Sequence, residues 1–262
     1  MEFEVQYDRN DYCVSKPIRI LIPIVLFFLF PCACTQENQI TRGDAESYNN
    51  QGNAYSEKGQ PDQAIAAFNK ALEIDPKHAG VYHNRGVVYG RKGQYNKAIA
   101  DFNKAIEINP KDAEAYYNRG VVYAVNHRDD QAIADYSKAL EINPRYAASY
   151  HNRGVAYGRI GQYDNAIADF TKSAEINPGY AGAYYSRGNA YGNRGRYDQA
   201  IADYTKALQV NPNYAAAYYS RARVYYLRKE YDKSMEDVTK AQALGYKIPA
   251  DFLDNLRKAS GK

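Results

Sequence analysis

The chain has 262 residues, with 34 Lys and Arg against 30 Asp and Glu, for a net charge of +4. Charges of both signs are interspersed, which excludes the basic cluster of a duplex-DNA binder. All three cysteines, Cys13, Cys32 and Cys34, lie within the first 34 residues. A disulfide framework, a zinc knuckle and a cysteine nucleophile are therefore excluded beyond that point.

Residues 1–34 read as an export signal. Lys16 and Arg19 precede an apolar run from Ile20 to Phe30, and Pro31-Cys32-Ala33-Cys34 follows. A basic flank, a short apolar stretch and small residues at its end are the parts of a secretory signal peptide. The run is shorter than the roughly 20 apolar residues a bilayer-spanning helix needs. Ala33-Cys34 resembles the end of a bacterial lipobox, which implies lipidation of Cys34, with Pro31 and Cys32 departing from the family pattern. Thr35 after that cysteine implies, by the same resemblance, retention at the outer membrane facing the periplasm. Release as a soluble secreted chain and retention as an uncleaved anchor are the alternatives. Residues 35–44 read as a polar tether.

From Ala45 to Ile248 the chain repeats itself every 34 residues, six times, as 45–78, 79–112, 113–146, 147–180, 181–214 and 215–248. Position 4 is always Tyr, from Tyr48 to Tyr218, and position 11 is always Tyr, from Tyr55 to Tyr225. Position 8 is Gly in five copies and Ala222 in the sixth, and position 20 is Ala until Ser234. Asn-Pro or Asp-Pro closes the second segment of copies one to five. Proline disfavours the helical region for the residue before it, so these dipeptides read as helix ends. Within each copy the apolar residues recur at helical spacing, as in Ala98, Ile99, Phe102, Ala105 and Ile106. Residues 249–262 place Phe252, Leu253 and Leu256 on one helical face and read as a cap over the last repeat.

This period and these signature positions resemble the tetratricopeptide repeat family. The resemblance implies an all-α, right-handed superhelical solenoid of six helix-turn-helix repeats plus the C-terminal capping helix. It also implies a concave groove lined by the first helices, at positions 2, 5, 9, 12 and 13 with position 6 at the edge. The groove residues so identified are Asn49, Asn53, His83, Asn84, Val87, Arg91, Tyr117, Asn118, Val121, His151, Asn152, Arg159, Tyr185, Asn189, Tyr219 and Arg223. Tyrosines and arginines of this kind often dominate interface energies, and asparagine amides both donate to and accept from a peptide backbone. Protein or peptide segments with acidic or aromatic groups are the expected partners. Alternatively, the position-5 side chains complete packing between neighbouring first helices. The lysine-rich clamp of chaperone-binding members is absent at position 5, so chaperone C-termini are not expected partners.

One departure from the family is systematic. Position 7, usually Leu, is Arg85, Arg119, Arg153, Arg187 and Arg221, and the same copies carry Asp101, Asp135, Asp169, Asp203 and Asp237 at position 23. The first copy has Gln51 and Ala67 instead. A recurring Arg–Asp pair between packed helices is one reading, and a solvated aspartate face is the other.

Catalytic chemistry finds no support. His83 and His151 are two repeats apart, so they cannot share a metal ion at bond lengths of about 2 Å. No glycine-rich phosphate loop or Ser-His-Asp constellation is present, and no cofactor, metal or nucleic acid is expected. An exported, membrane-anchored adaptor binding protein segments in the groove is the first functional reading. It resembles tetratricopeptide lipoproteins that assist secretion, pilus assembly or envelope hydrolases. A soluble secreted binder of small ligands or glycans in the same groove is the second, and a spacer without a specific partner is the third.

Overall fold

The computed structural model describes residues 42–261, and the export signal and Cys34 lie outside them. Thirteen helices and no strands are found among the described residues. They pair as six hairpins: α1 (Arg42–Glu57) with α2 (Pro61–Ile74), α3 (Ala79–Arg91) with α4 (Tyr95–Ile108), and α5 (Ala113–Val125) with α6 (Asp129–Ile142). The series continues with α7 (Ala147–Arg159) and α8 (Tyr163–Ile176), α9 (Ala181–Asn193) and α10 (Tyr197–Val210), then α11 (Ala215–Leu227) and α12 (Tyr231–Ala243). The last helix, α13 (Ala250–Ser260), stands alone. Each hairpin packs on the next, and the result is the all-α superhelical solenoid. Residues 42–44, assigned from sequence to the tether, belong to α1. Asp44 in the first turn suits the positive end of the helix dipole.

Turn chemistry repeats with the sequence. Asn109, which precedes Pro110, has φ −126° and ψ 87° and ends α4, and its side-chain oxygen accepts from the Lys111 amide at 3.2 Å, as Asp75, Asn143 and Asn211 accept at 3.0–3.1 Å in their own turns. This is the local amide-to-side-chain turn that Asn and Asp favour. Between the two helices of a repeat the chain passes through the left-handed region. Gly59, Gly93, Gly161 and Gly195 hold φ of 69–78°, while His127 (56°) and Lys229 (63°) hold it in the third and sixth repeats.

The interior of each hairpin is built on one contact. The position-8 glycine of the first helix lies beneath the position-24 ring of the second: Gly52 under Phe68, Gly86 under Phe102, Gly120 under Tyr136, Gly154 under Phe170 and Gly188 under Tyr204. A Cβ on any of these glycines would meet its ring at 2.4–2.9 Å. The rings are buried, as are the alanines at position 20. In the sixth repeat Ala222 and Val238 replace glycine and ring, and with Leu256 of α13 they form a closed cluster flanked by Phe252 and Leu253. The capping helix thus covers the apolar edge that another repeat would otherwise cover.

The arginines at position 7 are paired, which decides between the two sequence readings. Arg119 donates from Nε to Asp135 Oδ2 at 2.8 Å and from Nη2 to Asp135 Oδ1 at 2.7 Å. Arg85, Arg153, Arg187 and Arg221 make the same fork to Asp101, Asp169, Asp203 and Asp237. Nη1 of each reaches the second helix of the preceding repeat, on Asn69, Asn103, Ser137, Thr171 and Thr205 in turn. Each guanidinium therefore ties three helices together. It also lies beside the position-4 tyrosine of its own helix, as Arg119 does over Tyr116 at 5.6 Å, an arrangement that adds a cation–π contribution.

Candidate interaction groove

The first helices stand side by side along the solenoid, so their groove residues form one continuous wall. At position 5 the side chains join one repeat to the next. Asn84 Nδ2 donates to Asn49 Oδ1 at 3.1 Å, Asn118 Nδ2 approaches His83 Nε2 at 3.2 Å, and Asn152 Nδ2 donates to the Tyr117 hydroxyl at 3.0 Å. His151 Nε2 meets Ser186 Oγ at 3.2 Å, and Ser220 Oγ donates to the Tyr185 hydroxyl at 3.5 Å. Position 5 of each repeat thus bonds to position 6 of the following one, across all five interfaces.

The same side chains also stack inside their own repeat. Tyr117 lies 4.8 Å from Tyr146 and 5.8 Å from Tyr136, and Tyr185 lies 4.8 Å from Tyr214 and 6.0 Å from Tyr204, centroid to centroid. His151 contacts Phe170 and Tyr180, and Tyr219 stacks on Tyr246. Burial holds the Tyr146 and Tyr214 phenols up at about 12. His83 contacts Phe102 and bonds through Nδ1 to Asp112 Oδ2 at 3.2 Å. Asp112 Oδ1 in turn accepts from the Glu114 and Ala115 amides at the start of α5. Burial alone would raise the Asp112 carboxyl, but its bonds to His83 and to those two amides draw it below the ordinary aspartate value. Asn49 and His83 are themselves buried. Position 5 is therefore first a packing position, with one edge of Tyr117, His151, Tyr185 and Tyr219 left partly accessible.

Two unlike clefts open along the wall. One lies between the second and third repeats and has a volume of about 330 Å³. Val87, Arg91, Asn118 and Val121 line it together with Val125, and its floor is Gly86, Gly90 and Phe102. The other lies between the fifth and sixth repeats, with a volume of about 590 Å³. It is lined by Tyr185, Asn189, Tyr219 and Arg223, and by Asn193, Leu227 and Tyr246. The Tyr204 hydroxyl donates to Asn189 Oδ1 at 2.8 Å and fixes that amide's orientation. Asn53 lies half-buried on α1 and lines neither cleft. Arg159 is held at the edge by Asp129 and the Ala124 carbonyl, both at 2.9 Å.

Sequence reasoning missed Leu227 and Tyr246. Position 13 carried a signal for the first, because it runs Arg91, Val125, Arg159, Asn193, Leu227 and changes character at each step. Tyr246 stands where the other repeats have proline, and its ring, stacked on Tyr219, lines the cleft. Among the described residues, no cluster of His, Cys, Asp and Glu is arranged to hold a metal ion, and no helix is long and apolar enough to cross a membrane.

Comparison with known proteins agrees with this architecture. Models described as "TPR repeat" match residues 52–93 and 91–126, and models described as "Tetratricopeptide repeat" match residues 113–146, 147–180, 181–214 and 203–236. No curated protein matches the chain. Among solved structures, MamA is 33% identical with a TM-score of 0.59, and the match covers 63% of this chain and 96% of MamA. YrrB, described as "a TPR protein with an unusual peptide-binding site", is 28% identical with a TM-score of 0.59, over 68% of this chain and 91% of YrrB. PilF of Pseudomonas aeruginosa shares the fold at 21% identity and a TM-score of 0.68, over 78% of this chain and 93% of that one. With its 34-residue period, its paired helices and these matches, the chain belongs to the tetratricopeptide repeat family.

Proposed function

We propose that this chain is an exported, non-catalytic adaptor, anchored to the membrane through a lipid on Cys34, whose first-helix groove takes segments of partner proteins. The carrying observation is the pair of clefts on one wall: repeated scaffold residues hold the wall, while positions 9 and 13 vary their chemistry from repeat to repeat. A scaffold that fixes the backbone and varies the exposed side chains is how solenoids distinguish partners. The likeness to YrrB, a peptide-binding protein by its description, supports the same reading. The apolar run from Ile20 to Phe30 followed by Ala33-Cys34 supports export and lipidation, with the outer membrane facing the periplasm as the proposed location.

The exposed residues at position 13 test the groove without touching the scaffold. Val125 is 52% exposed and Leu227 56% exposed, and Asn193 is exposed as well. A chain carrying Val125→Glu, Asn193→Glu and Leu227→Glu should keep its helicity and lose the proteins that wild type retains from detergent-solubilised envelopes. Equal recovery by both chains would place binding outside the groove. Labelling with a radioactive fatty acid tests the anchor separately, with Cys34→Ser expected to abolish incorporation.

The volume of the larger cleft, about 590 Å³, supports a second reading, a soluble secreted binder of a small ligand or glycan, because ligand sites commonly fall between about 300 and 1,000 Å³. A lipid-free chain that co-purifies with a small molecule and no protein would favour it.

A further inference from the structure

Each of the two clefts carries one arginine and no lining carboxylate, but Arg91 bonds Ser56 Oγ at 3.4 Å in the one, whereas Arg223 stands among tyrosine rings in the other. Helices α7, α9 and α11, which form the wall of the last three repeats, contain no Asp or Glu. Their position-7 arginines are neutralised by Asp169, Asp203 and Asp237, and Arg159 is held by Asp129. Arg194 is paired with Asp164 and Arg228 with Asp198 and Glu230. Arg223 differs from all of these. It is exposed, it faces the cleft of the fifth and sixth repeats, and its guanidinium carbon stands 6.0 Å from the Tyr219 ring centre. Among the described residues no carboxylate pairs with it, and none lines that cleft.

Position 9 explains why the charge is free. The residue there is Asn53, Val87, Val121, Val155 or Asn189 in the other repeats, so no partner for a cation recurs with the period. An arginine without an internal acid, set among aromatic rings, offers a planar two-donor fork to a carboxylate from outside. Asn189 and Asn193 lie one helical turn apart on α9, on the same side. Both amides can bond a peptide backbone that runs past the arginine. Leu227, with the rings of Tyr185, Tyr219 and Tyr246, supplies apolar surface beside the charge.

Resting on the groove as the binding face, we propose that the cleft between the fifth and sixth repeats is an anchoring subsite for an internal acidic residue of an extended partner segment, with Arg223 binding the Asp or Glu carboxylate and the Leu227–Tyr246 side taking an adjacent aromatic or branched apolar side chain. The exposed position of Arg223 favours a side-chain carboxylate in the middle of a segment. Capture of a chain terminus would call for several donors converging on one point, and the cleft has one arginine.

The test uses the full chain in detergent and an array of random nonapeptides with acetylated N-termini and amidated C-termini, so that side chains supply every carboxylate. Wild type should enrich peptides with Asp or Glu next to a bulky apolar residue. Replacing that acid by its amide should weaken binding about tenfold, the weakening expected for loss of a charge-assisted pair worth about 1.4 kcal/mol. Arg223→Gln should erase the acidic preference and keep the apolar one, while Arg145→Gln, at an exposed turn residue outside the groove, should leave the preference intact. Selected peptides without acidic enrichment, or an enrichment unchanged in Arg223→Gln, would overturn the proposal. A wild-type preference for free C-terminal carboxylates on a second, uncapped array would overturn the assignment to an internal residue. If neutral peptides bind and are lost only from the position-13 variant, the groove stands as the binding face and this subsite does not. If neither array yields a binder, the subsite falls whatever the pull-down shows.

Discussion

Ala222 and Val238 pack together in the last repeat, in the place where the five earlier repeats set a glycine beneath an aromatic ring. The two exchanges compensate. A methyl group at position 8 takes the space that a smaller side chain at position 24 releases. Gly154→Ala tests this, because the new Cβ would stand 2.8 Å from the Phe170 ring. Alanine gains about 1 kcal/mol of helix propensity over glycine, but overpacking a full core costs about 1–3 kcal/mol, so a net loss of stability is expected. In a Phe170→Val background the same change should stabilise by about 1 kcal/mol, since only the propensity gain remains. Denaturant unfolding of the four chains measures the coupling. Equal effects in both backgrounds would show that the ring does not exclude a side chain at position 8.

The Arg119–Asp135 pair makes a different prediction for single and double changes. Both side chains are largely buried, at 18% and 7% exposure, and both take part in a two-bond fork. Asp135→Ala leaves the Arg119 charge in a poor environment and should cost about 3 kcal/mol. Arg119→Leu with Asp135→Ala restores the side-chain types of the wider family at position 7 and of the first repeat at position 23. The double variant should recover most of that loss, because replacing a buried pair by apolar groups is often close to neutral. Thermal unfolding of wild type, single and double variants checks the order. A double variant as unstable as the single would mean that the contact to Asn103 of the preceding repeat outweighs the pair.

His127 and Lys229 hold φ of 56° and 63° at the turn where four other repeats use glycine. Left-handed backbone costs a residue with a Cβ roughly 1–2 kcal/mol, and glycine gives part of that back as lost chain entropy in folding. His127→Gly and Lys229→Gly should therefore each stabilise by roughly 0.5–1 kcal/mol. Lys229→Gly leaves the neighbouring Arg228–Glu230 pair in place, so its effect reads the backbone alone. A fall in melting temperature for both variants would show that the side chains contribute more than the turn costs.

These cases show where the sequence was readable. The fold followed from Tyr48, Gly52, Tyr55, Ala64 and Pro76 recurring at a fixed period, because each of those positions has one steric job in every copy. The Arg–Asp pairing was legible as a correlation, since both residues enter together at Arg85 and Asp101 and both are missing at Gln51 and Ala67. The bonds between positions 5 and 6 were not legible. They join residues 35 apart, and the chemistry changes at each step, from Asn49–Asn84 through His83–Asn118 and Tyr117–Asn152 to His151–Ser186 and Tyr185–Ser220. A polar pair that keeps its geometry while changing its residues leaves no repeating letter to find. The same side chains then read as groove, with packing as the alternative. Nor could spacing show the lining of the cleft between the fifth and sixth repeats, because Tyr246 and Leu227 enter it from parts of the last repeat that depart from the pattern.

His151 carries the last prediction. It is largely buried between Phe170 and Tyr180, with Asn152 and Ser186 as its polar neighbours and no carboxylate bonded to it. Burial disfavours the imidazolium and lowers its pKa, and the weaker effects of Asn152 and the Gly182 backbone act the other way without reversing it. An unfolded histidine titrates near pH 6.5. Below that value the unfolded chain takes up a proton that folded His151 resists, so the unfolded state binds more protons. Stability then rises with pH through the window that ends near 6.5, and falls as the pH drops through it. His151→Tyr removes the titration and has a precedent in the fold, because Tyr185 occupies the same position and bonds Ser220 as His151 bonds Ser186. Melting temperatures from pH 5 to 8 should therefore show a smaller acid-side loss for the variant than for wild type, with the two curves parallel above about pH 7. Parallel curves throughout would mean that folded His151 accepts its proton as readily as an unfolded one, and that burial at position 5 is too shallow to matter.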